Sequence, residues 1–440
     1  MAILIVAAAV GFSLGIGARR SVGGPVETGL PAERVIAVSG LLREDPRSLQ
    51  SGSGLGTLAL LECSGDGGLR ASARGNLTVF FPAESIPRLK EFGRGCEIYA
   101  DGTLSYGSRG PVFMASSVHV VKPAPALEQS RSALRMTLLD RFQVRQGTFS
   151  GDGDADAPVW GALASALLLG MRDVLDTEFS SAFFNSGCSY ILALSGMHLA
   201  IISAVLAFFI RRPLGVRKAS LVGALFIVFY VFLAGSQPSL VRAAIMYIIG
   251  TVSIWGLLNK NVLSVLSMAF IIQLVFQSDT GISLSFILSY AALAGMLTLG
   301  GAFHSIFRGR LPEILGRGLS ASLGAFIATA PIVVAYFGSL KPIGILAGLL
   351  VAPLSSLFMI LALGALASAF LPFPLWALFD FALVWLYRFL DLIVSLAGQV
   401  PGLLVSDPVP VLIFSGLLWL LVLFIKKQDD RYRNSIASFG

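Results

Sequence analysis

The sequence predicts an α-helical polytopic membrane protein that also carries a small all-β domain. Hydrophobic residues make up 55% of the 440 and charged residues only 13%, with a mean hydropathy of +0.80. A soluble protein carries about twice that share of charge. The net charge of +7 does not by itself indicate an anionic partner, because membrane proteins keep Lys and Arg on their cytoplasmic side.

Residues 1–29 are predicted to be a membrane anchor helix. Residues 2–18 are apolar and about as short as a helix can be if it is to cross lipid. A cleaved signal peptide is the alternative, but Arg19 and Arg20 follow the apolar segment instead of preceding it. Either interpretation sends the next residues to the outside.

Residues 30–124 are predicted to form the β domain. Short runs of β-type residues alternate there with Gly- and Ser-rich breaks, which is typical of a small sandwich or barrel. Lys and Arg number 12 and Asp and Glu 10 from Arg19 to Leu127, so composition alone does not make this region a nucleic-acid binder. Some of its cations could share a face, although such a scatter is more often a solvated surface. The candidates are Arg70, Arg74, Arg88 and Lys90.

Two cysteines of the β domain are the candidates for a disulfide. Cys63 and Cys96 could pair if the domain faces an oxidising compartment, but nothing in one sequence brings them together. Only three histidines occur, far apart along the chain, which argues against a histidine-rich metal site.

Residues 125–156 are predicted to be an amphipathic interfacial helix followed by a linker. Apolar residues recur at helical spacing with arginines between them, which is typical of a helix that rests on lipid headgroups. The apolar positions are Leu134, Leu138 and Phe142, and the cations are Arg131, Arg135, Arg141 and Arg145.

Residues 157–425 are predicted to be the transmembrane domain, and residues 426–440 a cytoplasmic tail. The apolar piece 159–169 is too short to span and is interpreted as re-entrant or interfacial. Pro331 and Pro353 are expected to kink or break two of the later helices. With residues 2–18, the candidate spans number about ten. They are 188–210, 216–235, 238–257, 261–277, 282–303, 320–339, 343–370, 376–399 and 410–425.

The distribution of cations predicts the orientation. If both termini are cytoplasmic, the short outer loops hold only Lys341, and Arg19 with Arg20 is the one counter-signal. The β domain is then outside. The inner cations are Arg211, Arg212, Arg217, Lys218, Lys260, Arg308, Arg310 and Arg317, with Lys426, Lys427, Arg431 and Arg433 in the tail.

Ser195, Gly196, Met197 and His198 form a polar, helix-breaking tetrad inside an apolar run. We expect it in the middle of the first span after the β domain, with the helix broken at Gly196. Polar groups at membrane depth cost free energy unless they face protein or water. A hydrogen bond between helices and the wall of a polar path are both open interpretations of His198.

Further polar residues lie in later spans. Gln237 precedes Pro238, where a helix can begin, and Arg242 lies one turn inside. Arg242 either snorkels to the outer interface or faces the interior, where it would suit a phosphate contact. Arg388 and Asp391 share a helical face and are predicted to neutralise each other as a structural pair, with Asp380 two turns before Arg388.

Several of these motifs, taken together, resemble the ComEC-type competence proteins. They follow the family's order between residues 157 and 370, and the β domain resembles the OB-fold domain of that family. The motifs are GMRDVL at 170–175, ALSGMH at 193–198, LAGSQPSLVRAAIM at 233–246, LSF at 284–286, AP at 330–331 with YFG at 336–338, and VAPL at 351–354.

The resemblance implies an inner-membrane channel that imports single-stranded DNA into a bacterium during natural transformation. The expected partners are single-stranded DNA and membrane lipid, with a separate nuclease, a DNA receptor, and a cytoplasmic ATPase or single-strand-binding protein. OB-folds commonly hold single strands. The candidate path-lining residues are Ser195, Gly196, His198, Arg172, Gln237 and Arg242.

Two features depart from the family's pattern. Tyr190 stands where the resemblance leads us to expect His. Many members continue into a metallo-β-lactamase-like domain thought to degrade the other strand, whereas this sequence stops at Gly440. We therefore expect no nuclease or other enzymatic activity in this chain, unless the sequence is truncated or a separate polypeptide supplies the nuclease. We also expect no cofactor or metal. A Gly-x-x-x-x-Gly-Lys loop is also missing, so an ATP-driven step is expected from another protein.

Two other classes of function remain alternatives. A small-solute transporter or ion channel could share the broken-helix architecture, but it would be expected to show an internal repeat of broken segments, and these motifs show none. An envelope scaffold could use the β domain to organise other proteins without any transport.

Overall fold

The structure, a computed structural model, describes residues 26–49, 52–107, 110–144, 160–256, 261–276, 283–368, 376–405 and 407–437. It divides into two compact units. The barrel unit comprises the described residues of 14–155 together with 161–177, and the membrane unit comprises Trp160 and the described residues from 178 onwards. The predicted anchor helix lies outside the described residues. Residues 161–177, which we assigned to the transmembrane domain, group with the barrel unit instead.

Five long strands close the barrel unit into a cylinder. These five are β1 (Val35–Leu42), β3 (Gly54–Gly65), β5 (Asn76–Phe81), β6 (Glu97–Gly107) and β7 (Gly110–Lys122). The short strands β2 (Arg47–Ser48) and β4 (Arg70–Ser72) pair with β3, and helix α1 is Ile86–Phe92. The order around the cylinder is β1, β3, β5, β7, β6 and back to β1, and only the pair β5–β7 is parallel. Five strands in this order, with a helix between the third and fourth, form an OB-fold. The predicted β domain is confirmed.

Buried side chains fill the barrel, and Cys63 on β3 and Cys96 just before β6 are among them. Cys63 and Cys96 are buried and free, so the possible disulfide between them is not present in the structure. Cys63 lies opposite Val38 on β1, whereas the carbonyl of Cys96 accepts from Leu42. These two positions on β1 are about 13 Å apart, roughly twice the Cα separation that a disulfide tolerates. The tightest core residues are Leu58, Leu77, Val79, Ile98 and Phe113.

Helix α2 (Ala126–Val144) places Arg131 and Arg135 inside the barrel unit rather than on lipid headgroups, whereas Arg141 is exposed and Arg145 lies outside the described residues. The Arg131 side chain is fully buried and pairs with Asp45 and with Glu128, each at 2.7 Å. Arg135 also pairs with Asp45 and donates to the carbonyl of Leu169 at 3.1 Å. The interfacial role predicted for these two cations is therefore wrong, because carboxylates on the same unit already bind them.

Asp45 is the centre of this ion network. Burial acts to raise the pKa of its carboxyl, but the charge of Arg135 and then the hydrogen bond and charge of Arg131 outweigh that effect. Arg94 adds a smaller contribution, so the pKa of Asp45 lies below its ordinary value of 3.8. The network ties the loop after β1 to helix α2.

The segment after the linker begins with helix α3 (Trp160–Leu169), which is buried at every residue. A 3-10 turn, Arg172–Val174, follows it. Asp173 in this turn forms an ion pair with Lys90 of α1, and the Lys90 ammonium also donates to the Ser48 hydroxyl at 3.0 Å. The whole GMRDVL motif, residues 170–175, therefore belongs to the barrel unit.

The membrane unit is a bundle of helices. They are α4 (Thr177–Asn185, within the unit from Glu178), α5 (Ser189–Leu192), α6 (Gly196–Ala234), α7 (Pro238–Trp255), α8 (Val262–Phe276), α9 (Leu284–Gly295), α10 (Gly301–Phe307), α11 (Glu313–Phe337), α12 (Ile343–Ser368), α13 (Trp376–Gly398) and α14 (Pro408–Ala437). Among the described residues, six apolar helices are long enough to cross a membrane: 196–234, 238–255, 284–307, 313–337, 343–368 and 378–398. The polytopic helical class is confirmed.

The interruptions of these helices do not lie at the two prolines where the sequence predicted a kink or a break. Gly215, at φ 71°, interrupts α6 and divides it into the two spans expected at 188–210 and 216–235. A π-helical turn, Met296–Gly300, joins α9 to α10. Pro331 and Pro353 lie inside α11 and α12, which both continue through them, so neither proline ends a helix. A short pairing of β8 (Ser339–Leu340) with β9 (Leu403–Leu404) links two loops.

Candidate functional site

The polar tetrad of residues 195–198 lies at the start of helix α6. Ser195 is the extended N-cap residue, and the helix begins at Gly196. The helical segment is interrupted here, between α5 and α6, as we expected, but the tetrad begins a span and does not lie in the middle of one. The first backbone N–H groups of any helix lack partners within it, so polar side chains are favoured at this position.

His198 caps the helix that it belongs to. Its Nδ1 accepts a hydrogen bond from the Ser195 backbone N–H at 3.1 Å and lies 2.8 Å from the Ser195 hydroxyl oxygen. A side chain at the third helical position that reaches back to the N-cap backbone is half of a capping box. Because Nδ1 is an acceptor, the proton of a neutral ring is on Nε2. The fully buried imidazole thus has a structural role at the turn.

A second helix begins beside the first. Gln237 is the N-cap of α7 and Pro238 its first residue. The Ser239 hydroxyl donates to the carbonyl of Leu194 at 2.5 Å, just before the tetrad. This bond holds the two helix N-termini together. Each N-terminus carries partial positive charge from its free N–H groups.

Arg242, one turn into α7, is buried at the same place. Its Nη1 donates to the carbonyl and to the hydroxyl of Ser289 on α9, and its guanidinium carbon lies 5.7 Å from the Tyr290 ring centroid. A Cβ built on Gly196 would be 3.4 Å from Nη2. The side chain therefore faces the protein interior and does not snorkel. The Nε atom has no hydrogen-bond partner among the described residues.

Three further residues complete the site, and the sequence motifs did not single them out. Tyr290 donates to the Gln273 side-chain carbonyl at 2.9 Å, and the Gln273 amide donates to the carbonyl of Pro238 at 2.9 Å. Gln273 is the one amide within the apolar helix α8, and Ser289 and Tyr290 come one turn after the LSF motif. The sequence signal that could have identified these three residues is their polar character inside apolar helices.

We name this arrangement the Arg242 site: Ser195, Gly196, His198, Arg242, Gln273, Ser289 and Tyr290. Its charge is uniformly positive, since the guanidinium and two helix N-termini converge and no carboxylate of the described residues pairs with Arg242. A carbonyl, a hydroxyl and an aromatic face partly solvate the cation. Such a site is suited to contact an anion.

The remaining path candidates lie at other positions. Arg172 is exposed and belongs to the barrel unit. Gln237 is half-buried next to the Arg242 site. The predicted ion pair of Arg388 with Asp391 is wrong: the guanidinium of Arg388 lies over the Trp385 ring at 5.7 Å, and Asp391 accepts from its neighbour in the next turn, Ser395. Helical spacing allowed the pair, but each side chain has a different neighbour.

The cations expected on the OB-fold do not form one patch. Lys90 is occupied by Asp173, whereas Arg70, Arg74 and Arg88 are exposed. OB-folds use the face of the second and third strands together with bordering loops. The loop that borders this face between β1 and β3 carries exposed Arg43 and Arg47, which the sequence analysis had not singled out.

The outer face of β3 and β5 carries no cation of its own. Leu55 lies opposite Phe80, Thr57 opposite Thr78, and all are half-buried. Met114 on β7 lies opposite Phe80 and is half-exposed. An apolar strip therefore crosses the barrel, with its cations confined to the neighbouring loop and edges.

Comparison with known proteins identifies related sequences. The chain is 29% identical over 287 residues to ComE operon protein 3 of Bacillus subtilis (strain 168), covering 61% of this chain and 34% of that protein. It is 25% identical over 262 residues to an uncharacterized protein of Aquifex aeolicus (strain VF5), covering 59% and 61%. The chain thus spans about a third and three fifths of these relatives. Residues 167–429 match the family described as "Competence protein", and the chain belongs to that family of multi-pass membrane proteins.

Proposed function

We propose that the membrane unit conducts single-stranded DNA across the inner membrane of a bacterium during natural transformation. The observation that carries the proposal is Arg242, a buried guanidinium without a carboxylate partner among the described residues, set against two helix N-termini. As partners we propose a nuclease, a DNA receptor, and a cytoplasmic ATPase or single-strand-binding protein.

The electrostatics of the Arg242 site favour a polyanion over a neutral solute. A buried cation next to two positive helix ends is unfavourable unless an anion is present. Ser289 and Tyr290 offset part of that cost, but Nε of Arg242 is left without a hydrogen-bond partner in the described part of the chain. A phosphate oxygen would complete the hydrogen bonds of the guanidinium, as it does in many phosphate-binding sites.

The orientation supports import from the outside. Both parts of α6 meet at Gly215, where Arg211, Arg212, Arg217 and Lys218 are all exposed. Under the positive-inside rule this turn faces the cytoplasm, so the Arg242 site, at the opposite end of α6, faces the outer side. Single cysteines at Arg212 and Ser236 test the assignment: a membrane-impermeant thiol reagent added to intact spheroplasts is expected to label position 236 and not 212.

Uptake of labelled DNA into the cytoplasm of the native bacterium is the direct test. Deletion is expected to abolish uptake. Arg242→Gln should reduce it about tenfold to a hundredfold, since hydrogen bonds to a charged group are worth about 1.5–3 kcal/mol. Arg242→Lys should restore part of it. Arg388→Gln is the matched control, because Arg388 has the same 5.7 Å distance to an aromatic ring but is exposed.

The outcomes separate the proposal from its rivals. Normal uptake in the deletion strain would exclude a role in DNA transport and leave a solute transporter, an ion channel or a scaffold. Normal uptake in Arg242→Gln, with the protein at wild-type abundance, would exclude the Arg242 site as the anion contact while leaving the channel function intact.

The OB-fold is a candidate receptor for the strand before it enters the membrane. Its apolar strip can stack bases, and Arg43 and Arg47 border the strip. Salt-dependent binding of a single-stranded oligonucleotide by the full chain tests this role. Arg43→Gln with Arg47→Gln should weaken binding more than Arg70→Gln with Arg74→Gln. An equal loss in the two double variants would argue for diffuse charge rather than a defined face.

A further inference from the structure

A second ionisable group is buried in the membrane unit, away from the Arg242 site. Asp380 lies near the start of α13 with 2% of its surface exposed. Its Oδ1 accepts a hydrogen bond from the indole Nε1 of Trp160 at 2.5 Å. Its Oδ2 has no hydrogen-bond partner among the residues that the structure describes. One donor therefore serves a carboxyl group that, when ionised, has about four acceptor positions.

The described helices around Asp380 supply no cation. α12 packs closely there, since a Cβ on Gly364 would be 2.7 Å from the neighbouring Phe379 ring. α12 contains no ionisable residue. On α4, which meets α13 where Phe179 stacks on Tyr387, the charged residue is Glu178, and it is exposed.

The other charged residues of α13 do not contact Asp380 either. Arg388, two turns along, is exposed and lies over Trp385, and Asp391 accepts from Ser395. No ion pair of the described residues includes Asp380. In a site with one donor and no cation, burial disfavours the ionised carboxylate, and the protonated acid suits the surroundings better.

We propose that Asp380 is a proton-binding site through which proton movement is coupled to transport. At rest Oδ2 carries a proton. When a rearrangement of α13 against α12 admits water, the O–H bond breaks, the proton passes to water and the carboxylate keeps the hydrogen bond from Trp160. Reprotonation restores the resting state. Ionisable groups within membrane helices typically serve such proton relays. The proton site stands without the proposed function, whereas its coupling to DNA rests on it.

The variant Asp380→Asn distinguishes a proton-binding role of Asp380 from a purely structural role as the hydrogen-bond acceptor of Trp160. In this variant the side-chain amide oxygen retains an acceptor for Trp160 in nearly the same volume, but the amide cannot exchange a proton as the acid does. Asp391→Asn is the matched control, because Asp391 lies on the same helix and is bonded to Ser395. Asp380→Glu retains a titratable group and should preserve function in part.

The experiment uses the full chain reconstituted in lipid vesicles and has two readouts. Infrared difference spectra of wild type minus Asp380→Asn should show, at neutral pH, the carbonyl band of a protonated carboxylic acid. Asp391→Asn should retain the band. Inward proton flux, followed with a trapped pH indicator under an imposed pH gradient, should increase when a single-stranded oligonucleotide is added outside. That increase should be lost in Asp380→Asn and partly kept in Asp380→Glu.

The readouts distinguish the two proposals. Absence of the carboxylic acid band from wild type would overturn the proton site. A full oligonucleotide-dependent flux in Asp380→Asn would overturn the coupling. If wild type shows the band but its proton flux does not respond to the oligonucleotide, the coupling to DNA fails while the proton site stands, and uptake of labelled DNA in the native bacterium remains the separate test of the DNA function. If Asp380→Asn does not fold, the difference spectrum of wild type minus Asp380→Glu, in which the carboxylic acid band should shift, and the Asp380→Glu flux decide the question.

Discussion

The Nδ1 atom of His198 lies 3.1 Å from the backbone nitrogen of Ser195 and accepts its hydrogen. The most polar turn of the membrane unit is therefore largely satisfied by its own residues. The contribution of this turn to a transport path is structural. It begins helix α6 at the point where the Arg242 side chain approaches Gly196. The His198 imidazole stabilises the turn by capping it, and the Arg242 guanidinium provides the positive charge of the site.

Replacing His198 tests its role as a cap. His198→Ala should lower the free energy of unfolding by about 1 kcal/mol, the usual effect of losing a cap. His198→Gln should retain most of the stability, because Gln at the third helical position can also accept from the N-cap N–H. Thermal unfolding of the full chain in detergent measures both. Equal destabilisation by the two variants would show that the ring is needed for packing rather than capping.

Two glycines in close helix contacts should respond differently to alanine. A Cβ on Gly295 would lie 2.2 Å from the carbonyl oxygen of Gly324, so Gly295→Ala must separate α9 from α11 and should cost about 1–3 kcal/mol. A Cβ on Gly196 meets atoms no closer than 3.4 Å, so Gly196→Ala should be nearly neutral. Melting temperatures of the two variants provide the comparison, and a reversed order would contradict the packing.

Asp45 should make the barrel unit sensitive to acid. The pKa of Asp45 is lower in the folded protein than in the unfolded chain, so its contribution is present above about pH 4 and is lost as the pH falls through the folded value. Asp45→Asn should remove about 3 kcal/mol at neutral pH, because the buried Arg131 loses a partner. Hydrogen exchange in β1 and α2 reports the change. The exchange rates of Asp45→Asn should respond less to pH in this window than those of wild type.

The cysteines should behave as buried thiols. Burial raises the pKa of Cys96 to about 11, and burial likewise raises the pKa of Cys63. Alkylation of the folded protein at pH 8 should therefore be slow, whereas the unfolded chain should take up one label at each of its three cysteines without prior reduction. Mass spectrometry counts the labels. A requirement for reductant would show a disulfide after all.

The elements that local pattern determines were predicted well. Alternating β-type runs placed the barrel strands, and long apolar segments overlapped the helices of the membrane unit, because periodicity and hydropathy are properties of neighbouring residues. Side-chain partners were predicted poorly. Arg388 and Asp391 are correctly spaced on one helix but contact Trp385 and Ser395, and Lys90 pairs with a residue 83 positions away.

The sequence by itself determined the class of the protein, a polytopic helical membrane protein with a small β domain, because burying apolar surface and satisfying backbone hydrogen bonds in lipid leave few alternatives. It also determined which polar residues are unusual at membrane depth. Only the tertiary structure decided what those residues do. It placed the tetrad at a helix start, turned Arg242 inward against Gly196, and left Asp380 with a single donor among the described residues. Those outcomes depend on contacts between helices distant in the chain, and no local pattern encodes them.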